Sequence, residues 1–293
     1  MEIGMNNKKK IGLVLEGGGV RGIYTAGVLD VFMEHGICFD GVIGVSAGAV
    51  HGCSYLSGQK GRSLRYYKKY CSDPRFMSFR SWIKTGDIIG VEFCYHELPD
   101  KLDIYDHQAF ESCQVPFYVT CSNVETGKAE YVKIESMRDQ IECLRASASL
   151  PYFSNLVEIE GKKYLDGGCT DSIPVESFQK IGYSYNVVVL TREATYRKKP
   201  ELSWLPRLIY NKYPAFAEAL RNRHQQYNET VARIMQMEKE GLIYVIRPES
   251  PLNIGRLEKN PENVQRVYDR GRTDAERQIE QLKQWLFLKH KEG

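Results

Sequence analysis

Three blocks of this sequence hold residue types that could act together on an acyl group: Gly44-Val45-Ser46-Ala47-Gly48, Gly17-Gly18-Gly19-Val20-Arg21-Gly22 and Asp166-Gly167-Gly168. The first is entered from the apolar run Gly41-Val42-Ile43 and left through the helix-compatible Ala47-Gly48-Ala49-Val50, the pattern of a nucleophile elbow. A sharp turn there forces the serine into a strained backbone conformation, and the small neighbours let strand and helix approach. Ser46 Oγ then projects near the positive end of a helix. The bland alternative is a glycine-rich turn with an incidental serine, so the pentapeptide alone does not decide.

A nucleophilic serine needs a base and an oxyanion hole. Successive glycines at 17–19 leave backbone N–H groups bare and free to converge on a developing negative charge, at the start of a helix whose dipole adds to the effect. One such donor is worth roughly 3–4 kcal/mol of transition-state stabilisation. Residues 17–22 also match G-x-G-x-x-G, the dinucleotide fingerprint, and Asp40 follows at about the distance of a ribose-binding acid. That rival leaves Ser46 and Asp166 without a task, whereas acyl transfer uses all three blocks.

The elements that must position these blocks alternate. Residues 11–15 read as a buried strand, 23–35 as a helix closed by Gly36, 41–44 as a second strand, and the stretch after Ser46 as a helix to about Leu56. Strand, glycine loop, helix, strand, elbow, helix implies an α/β layout with a parallel sheet. Further on, 62–70 reads as helix and 72–99 as mixed, able to form either a lid or one wall of an acyl pocket. Strands are expected at 115–122 and 129–134, a helix at 137–147, a strand at 162–165 that delivers Asp166, a helix opened by Pro174, and a buried strand at 186–190. Beyond Thr191 a polar loop precedes helices at 204–210, 215–240 and 261–289, with a strand at 242–246 that could rejoin the sheet. The division expected is a catalytic domain over 8–195 and a mainly helical extension over 196–293, packed on the core.

At 293 residues the chain can bury a large core, and its net charge of +3 is dispersed, which does not argue for nucleic acid. The eight cysteines never occur as C-x-x-C and read as reduced thiols of a cytoplasmic protein. Lys8-Lys9-Lys10 before an apolar run suggests a signal peptide, but that run stops at Glu16, short of the roughly 7–15 apolar residues required. No stretch approaches the length of a spanning helix.

Taken in order, Gly-Gly-Gly-x-Arg-Gly, Gly-x-Ser-x-Gly, Arg145-Ala146-Ser147-Ala148-Ser149-Leu150-Pro151 and Asp-Gly-Gly resemble the patatin-like phospholipases over roughly residues 10–190. The resemblance implies a three-layer α/β/α patatin-like fold with a mainly parallel central sheet, and a serine lipid acyl hydrolase with a Ser-Asp dyad. By position it makes Ser46 the nucleophile, Asp166 the base, and Gly17, Gly18 and Gly19 the oxyanion hole, with the N–H of Ala47 assisting. Arg21 matches the loop arginine, as a phosphate contact or a loop brace. No metal or organic cofactor is implied.

Free aspartate is a weak base, so Asp166 is expected to be desolvated and unpaired with Arg21 or Arg145. His51 should point away from the elbow, His35, His224 and His290 read as structural or surface residues, and His96 and His107 fall in the poorly read middle. Asp171 braces the turn before Pro174, and Ser147 and Ser149 lack an elbow and read as structural. The partner is a lipid ester; Arg197-Lys198-Lys199 with the aromatic-apolar stretch Trp204 to Tyr210 reads either as a transient contact with the inner membrane face or as a loop followed by a core helix. Oligomeric state is not legible. Two other functions stay open: dinucleotide binding, and a non-catalytic lipid-binding module on the same fold.

Overall fold

The protein is described here by a computed structural model covering residues 9–292, so Lys8 and the start of the expected catalytic domain lie outside the described residues. The elements run β1 (Ile11–Leu15), α1 (Ile23–Glu34), β2 (Gly41–Val45), α2 (Ala47–Leu56), α3 (Arg62–Tyr70), α4 (Phe79–Thr85) and α5 (His107–Ser112). Then follow β3 (Phe117–Asn123), β4 (Lys128–Ile134), α6 (Ile141–Ala148), β5 (Val157–Ile159), β6 (Lys162–Asp166), α7 (Val175–Ile181) and β7 (Tyr185–Val189). The chain ends with α8 (Leu205–Ile209), α9 (Pro214–Lys239), β8 (Ile243–Ile246) and α10 (Pro261–Lys291).

Five strands, in the order β3-β2-β1-β7-β8, run parallel and form the centre of one sheet. Strands β4, β5 and β6 add an antiparallel flank. Alternation along the strands splits the core between two faces. Ile11, Leu13 and Leu15 of β1 face α1, α2 and α10, whereas Val14 faces α7 and the middle of α9. The result is three layers, α/β/α, around a mainly parallel sheet, as the motif order implies.

The strand expected at 242–246, between α9 and α10, does rejoin the sheet: β8 pairs parallel with β7, Val188 opposite Val245. Helix α10 lies along α1, so the part of the chain after 196 shares the central core.

Differences from the expected elements are local. Residues 137–140 form a turn, held by the Gln140 side-chain oxygen accepting from the N–H groups of Glu135 and Ser136, so the helix starts only at Ile141. The mixed region 72–99 divides into α4, whose Phe79, Trp82 and Ile83 are exposed, and a π-helical segment over Phe93–Leu102, whose Phe93, Tyr95 and Leu98 are buried. Strand β5 is too short to leave a pattern in the sequence.

Candidate active site

The register of β3 brings the two reactive side chains together. Strand β4 occupies one edge of β3 from Phe117 to Asn123, so β2 and β6 must share the other. Strand β2 runs parallel to β3 and ends with Val45 opposite Thr120; β6 runs antiparallel and ends with Asp166 opposite Cys121. Their carboxyl ends therefore meet, and Ser46 and Asp166 face each other although far apart along the chain. Ser46 Oγ donates a hydrogen bond to Asp166 Oδ2 at 2.7 Å.

Ser46 has φ +52° and ψ −123°, a conformation that a non-glycine residue adopts only under constraint. The flanking glycines make the turn sterically feasible: a β-carbon on Gly44 would lie 2.6 Å from the Ala49 backbone, and one on Gly48 would lie 2.5 Å from the Leu15 carbonyl oxygen. The constraint also comes from a residue that its local sequence marks only as structural. Ser147 Oγ accepts from the Ser46 N–H at 2.8 Å and donates to the Thr120 carbonyl at 2.6 Å, tying the elbow to β3.

Asp166 is held as firmly. Its N–H donates to the Ser149 carbonyl, its carbonyl accepts from Ser122 Oγ, and its Oδ1 accepts from the Gly168 N–H at 2.7 Å. Burial pushes its carboxyl above the ordinary range, opposed by the positive charge of Arg223 and by the bonds from Ser46 and Gly168. Arg145 pairs instead with Glu142, and among the described residues no cation lies within ion-pair distance of Asp166.

The glycine loop faces the same point. A β-carbon on Gly17 would sit 3.4 Å from that of Ser46. Gly17 is nevertheless a lining residue only, because its N–H donates to the Ser172 carbonyl at 3.3 Å. The N–H groups of Gly18, Gly19 and Ala47 have no acceptor among the described residues, Ala47 because it opens α2. All three residues line the cavity together with Ser46, with Gly19 at φ +55°.

Asp40 lies at the opposite end of the sheet. Its carboxylate accepts from the Ile11 N–H at 2.7 Å, joining the starts of β1 and β2 a whole strand away from the glycine loop. The dinucleotide reading loses its ribose-binding acid.

The family description patatin-like phospholipase matches residues 13–178. The chain belongs to that family. A second description, a domain of unknown function called DUF6363, matches residues 213–287. An uncharacterised protein of Escherichia coli, YjjU, is 30% identical over 204 residues, 68% of this chain and 56% of its own length. Lysophospholipase NTE1 of Debaryomyces hansenii is 28% identical over 188 residues, 62% of this chain and 12% of that protein. The chain thus spans about half the length of the first relative and a small part of the second. The crystal structure of VipD from Legionella pneumophila overlays with a TM-score of 0.45 at 12% identity, covering 93% of this chain and 67% of that one.

In this patatin-like protein Ser46 and Asp166 line a cavity of about 1560 Å³. One wall is apolar, with Tyr66, Phe76, Leu98, Met137 and Leu144. His96 and His107 also line it, while His51 is buried against Ser63 and pushed down to about 3 by desolvation. His35, His224 and His290 bond to Glu276 and to the Arg221 and Leu286 carbonyls. Asp171 braces the turn before α7 by accepting from Tyr131 and Ser177. Among the described residues no three His, Cys, Asp or Glu side chains cluster as a metal site.

The basic run 197–199 does not act as one surface patch. The Asn228 amide bonds both the N–H and the carbonyl of Lys198, at 2.8 and 3.0 Å, and turns that residue inward over the Tyr227 ring. Only Arg197 and Lys199 remain exposed. Arg21 is partly buried beside Glu16 and Arg192 and makes no ion pair among the described residues, so it is not a salt-bridged brace.

Proposed function

We propose that this protein hydrolyses acyl esters of lipids, of phospholipid or lysophospholipid type, through an acyl-Ser46 intermediate. The observation that carries the reading is the 2.7 Å bond from Ser46 Oγ to a buried carboxylate, at the head of a cavity with an apolar wall. Asp166 takes the hydroxyl proton as Oγ attacks the ester carbonyl, and its raised proton affinity makes it a better base than aspartate in water. The N–H groups of Gly18, Gly19 and Ala47 hold the oxyanion. Collapse expels the alcohol, which takes the proton from Asp166. Asp166 then deprotonates water, which attacks the acyl carbonyl, and the proton returns to Ser46 as the fatty acid leaves.

Turnover of nitrophenyl esters tests this. Ser46→Ala is expected to lower kcat by at least about 10⁴-fold, the scale for a lost nucleophile. Unchanged turnover overturns the reading, and a wild-type protein that binds lipid without turnover favours the non-catalytic module.

The rim of the cavity supports contact with an anionic membrane surface. Helix α4 exposes Trp82 and Ile83 and carries Arg80 and Lys84; the α8 region exposes Trp204 and Leu208 and carries Arg207 and Lys212. Both flank the rim residues Tyr152 and Phe153, whose rings contact Tyr210 and Trp82 at 5.7 and 5.8 Å. Aromatic and aliphatic side chains beside lysine and arginine suit an interface rich in acidic lipid. The double variant Ile83→Asp/Leu208→Asp is expected to lose at least about tenfold in partitioning to phosphatidylglycerol vesicles, read by sedimentation. Partitioning equal to wild type removes this face from the proposal. No helix among the described residues is long and apolar enough to cross a membrane. A cytoplasmic site of action is supported by all eight cysteines being unpaired.

A further inference from the structure

Four cationic side chains face the cavity beside the dyad: Arg21 from the glycine loop, Arg192 and Lys198 from the strap after β7, and Arg223 from α9. They form one connected group. The Arg192 guanidinium stacks over Tyr196 at 4.1 Å, the Tyr196 and Tyr227 rings meet at 5.9 Å, and Lys198 Nζ lies over Tyr227 at 4.5 Å. Tyr227 in turn donates to Glu16 next to the glycine loop, and Arg223 donates through Nε to the carbonyl of Gly168, two residues beyond the base.

Among the described residues none of the four has a carboxylate within ion-pair distance. The Nε atoms of Arg21 and Arg192 are buried without a hydrogen-bond partner. Glu16 is engaged by the Tyr227 and Thr191 hydroxyls, Asp166 by Ser46 and Gly168, and Glu201, also on the cavity, by the Tyr152 hydroxyl. The crowding has the sign expected of uncompensated like charge. Lys198 is pulled down to about 7, by desolvation first and by Arg223 next, and Arg21 is lowered by desolvation and then by Arg192. Partly buried cations left unpaired are costly unless an anion joins them.

We infer that Arg21, Arg192, Lys198 and Arg223 form a subsite for a phosphate group carried by the substrate, beside the scissile ester. Three planar guanidinium forks and one ammonium give several bidentate and point-charge contacts for its oxygens. Three guanidinium charges, joined by Lys198 as an arriving anion draws a proton onto it, outnumber Glu16 and Asp166 and match a phosphate monoester better than a neutral glyceride. Three of the four residues lie beyond the patatin-like match, and Arg223 lies within the stretch of unknown function, so that stretch contributes specificity to the site. The inference rests on Ser46 acting on a lipid ester.

The test uses the full chain and two monomeric octanoyl esters, 1-octanoylglycerol 3-phosphate and 1-octanoylglycerol. Wild type is expected to favour the phosphate ester by at least about tenfold in kcat/KM, and Arg192→Gln or Lys198→Gln to bring that ratio towards one. Calorimetric titration of inorganic phosphate into Ser46→Ala protein, with and without Lys198→Gln, reads the subsite without turnover, and weaker binding in the double variant is expected. Equal use of both esters by wild type overturns the inference and leaves the hydrolase reading standing; if phosphate still binds, the site takes free anion instead. If neither ester is turned over, the hydrolase reading fails, and phosphate binding that Lys198→Gln does not change overturns the subsite as well.

Discussion

Asp166→Asn is expected to lower kcat for a soluble ester by at least about 10⁴-fold while raising the thermal midpoint. Asn fills the same space and keeps an oxygen for the Gly168 N–H, but its amide nitrogen then faces Ser46 Oγ. A donor stands where the acceptor was, and the hydroxyl proton has no base to enter. The stability gain follows from linkage. The unfolded carboxyl titrates near 3.8, and burial raises the folded one above it. Between those values the folded state binds more protons, so wild-type stability falls as pH rises through that window. The cost is absent below 3.8 and complete above the folded value. At neutral pH, relief of about 1 kcal/mol corresponds to roughly 2–4 °C. The same titration sets the acid limb of wild-type kcat/KM above the range of free aspartate, falling as pH drops. A variant with near-wild-type turnover contradicts the dyad.

The second large effect is on folding. Helices α1 and α10 approach backbone to backbone: a β-carbon on Gly271 would lie 2.0 Å from the Tyr24 carbonyl oxygen, and one on Gly27 would lie 2.2 Å from that of Tyr268. The Tyr24 hydroxyl donates to Asp274 across the same seam, and Tyr268 donates to Asp30. Gly271→Val must push the helices apart, since neither contact is the end of a flexible side chain. The expected loss is about 3 kcal/mol, at the upper end for overpacking, measured by urea denaturation with an unchanged slope. Stability within error of wild type contradicts this packing of the chain's last helix.

Much of this was legible in residue order. Elbow, glycine loop and Asp-Gly-Gly are local patterns whose steric reasons act within a few residues, and the strands and helices around them carry strong periodicity. What escaped depends on contacts made only after folding. Gly17 belongs to the glycine block, yet the Ser172 carbonyl, distant in sequence, takes its N–H. Ser147 looks like one more helical serine until β3 places the Thr120 carbonyl beneath it. Lys198 sits in a basic run that suggests a surface, and only the Asn228 side chain on another helix turns it inward. The meeting of β2 and β6 on one edge of β3 likewise depends on a register that no single stretch encodes.

The most direct measurement of the central claim is peptide mapping by mass spectrometry after reaction with a fluorophosphonate. One adduct per chain is expected, on Ser46, absent from Ser46→Ala and much slower to form in Asp166→Asn. An adduct on another residue, or equal labelling of the Asp166→Asn protein, would contradict that claim.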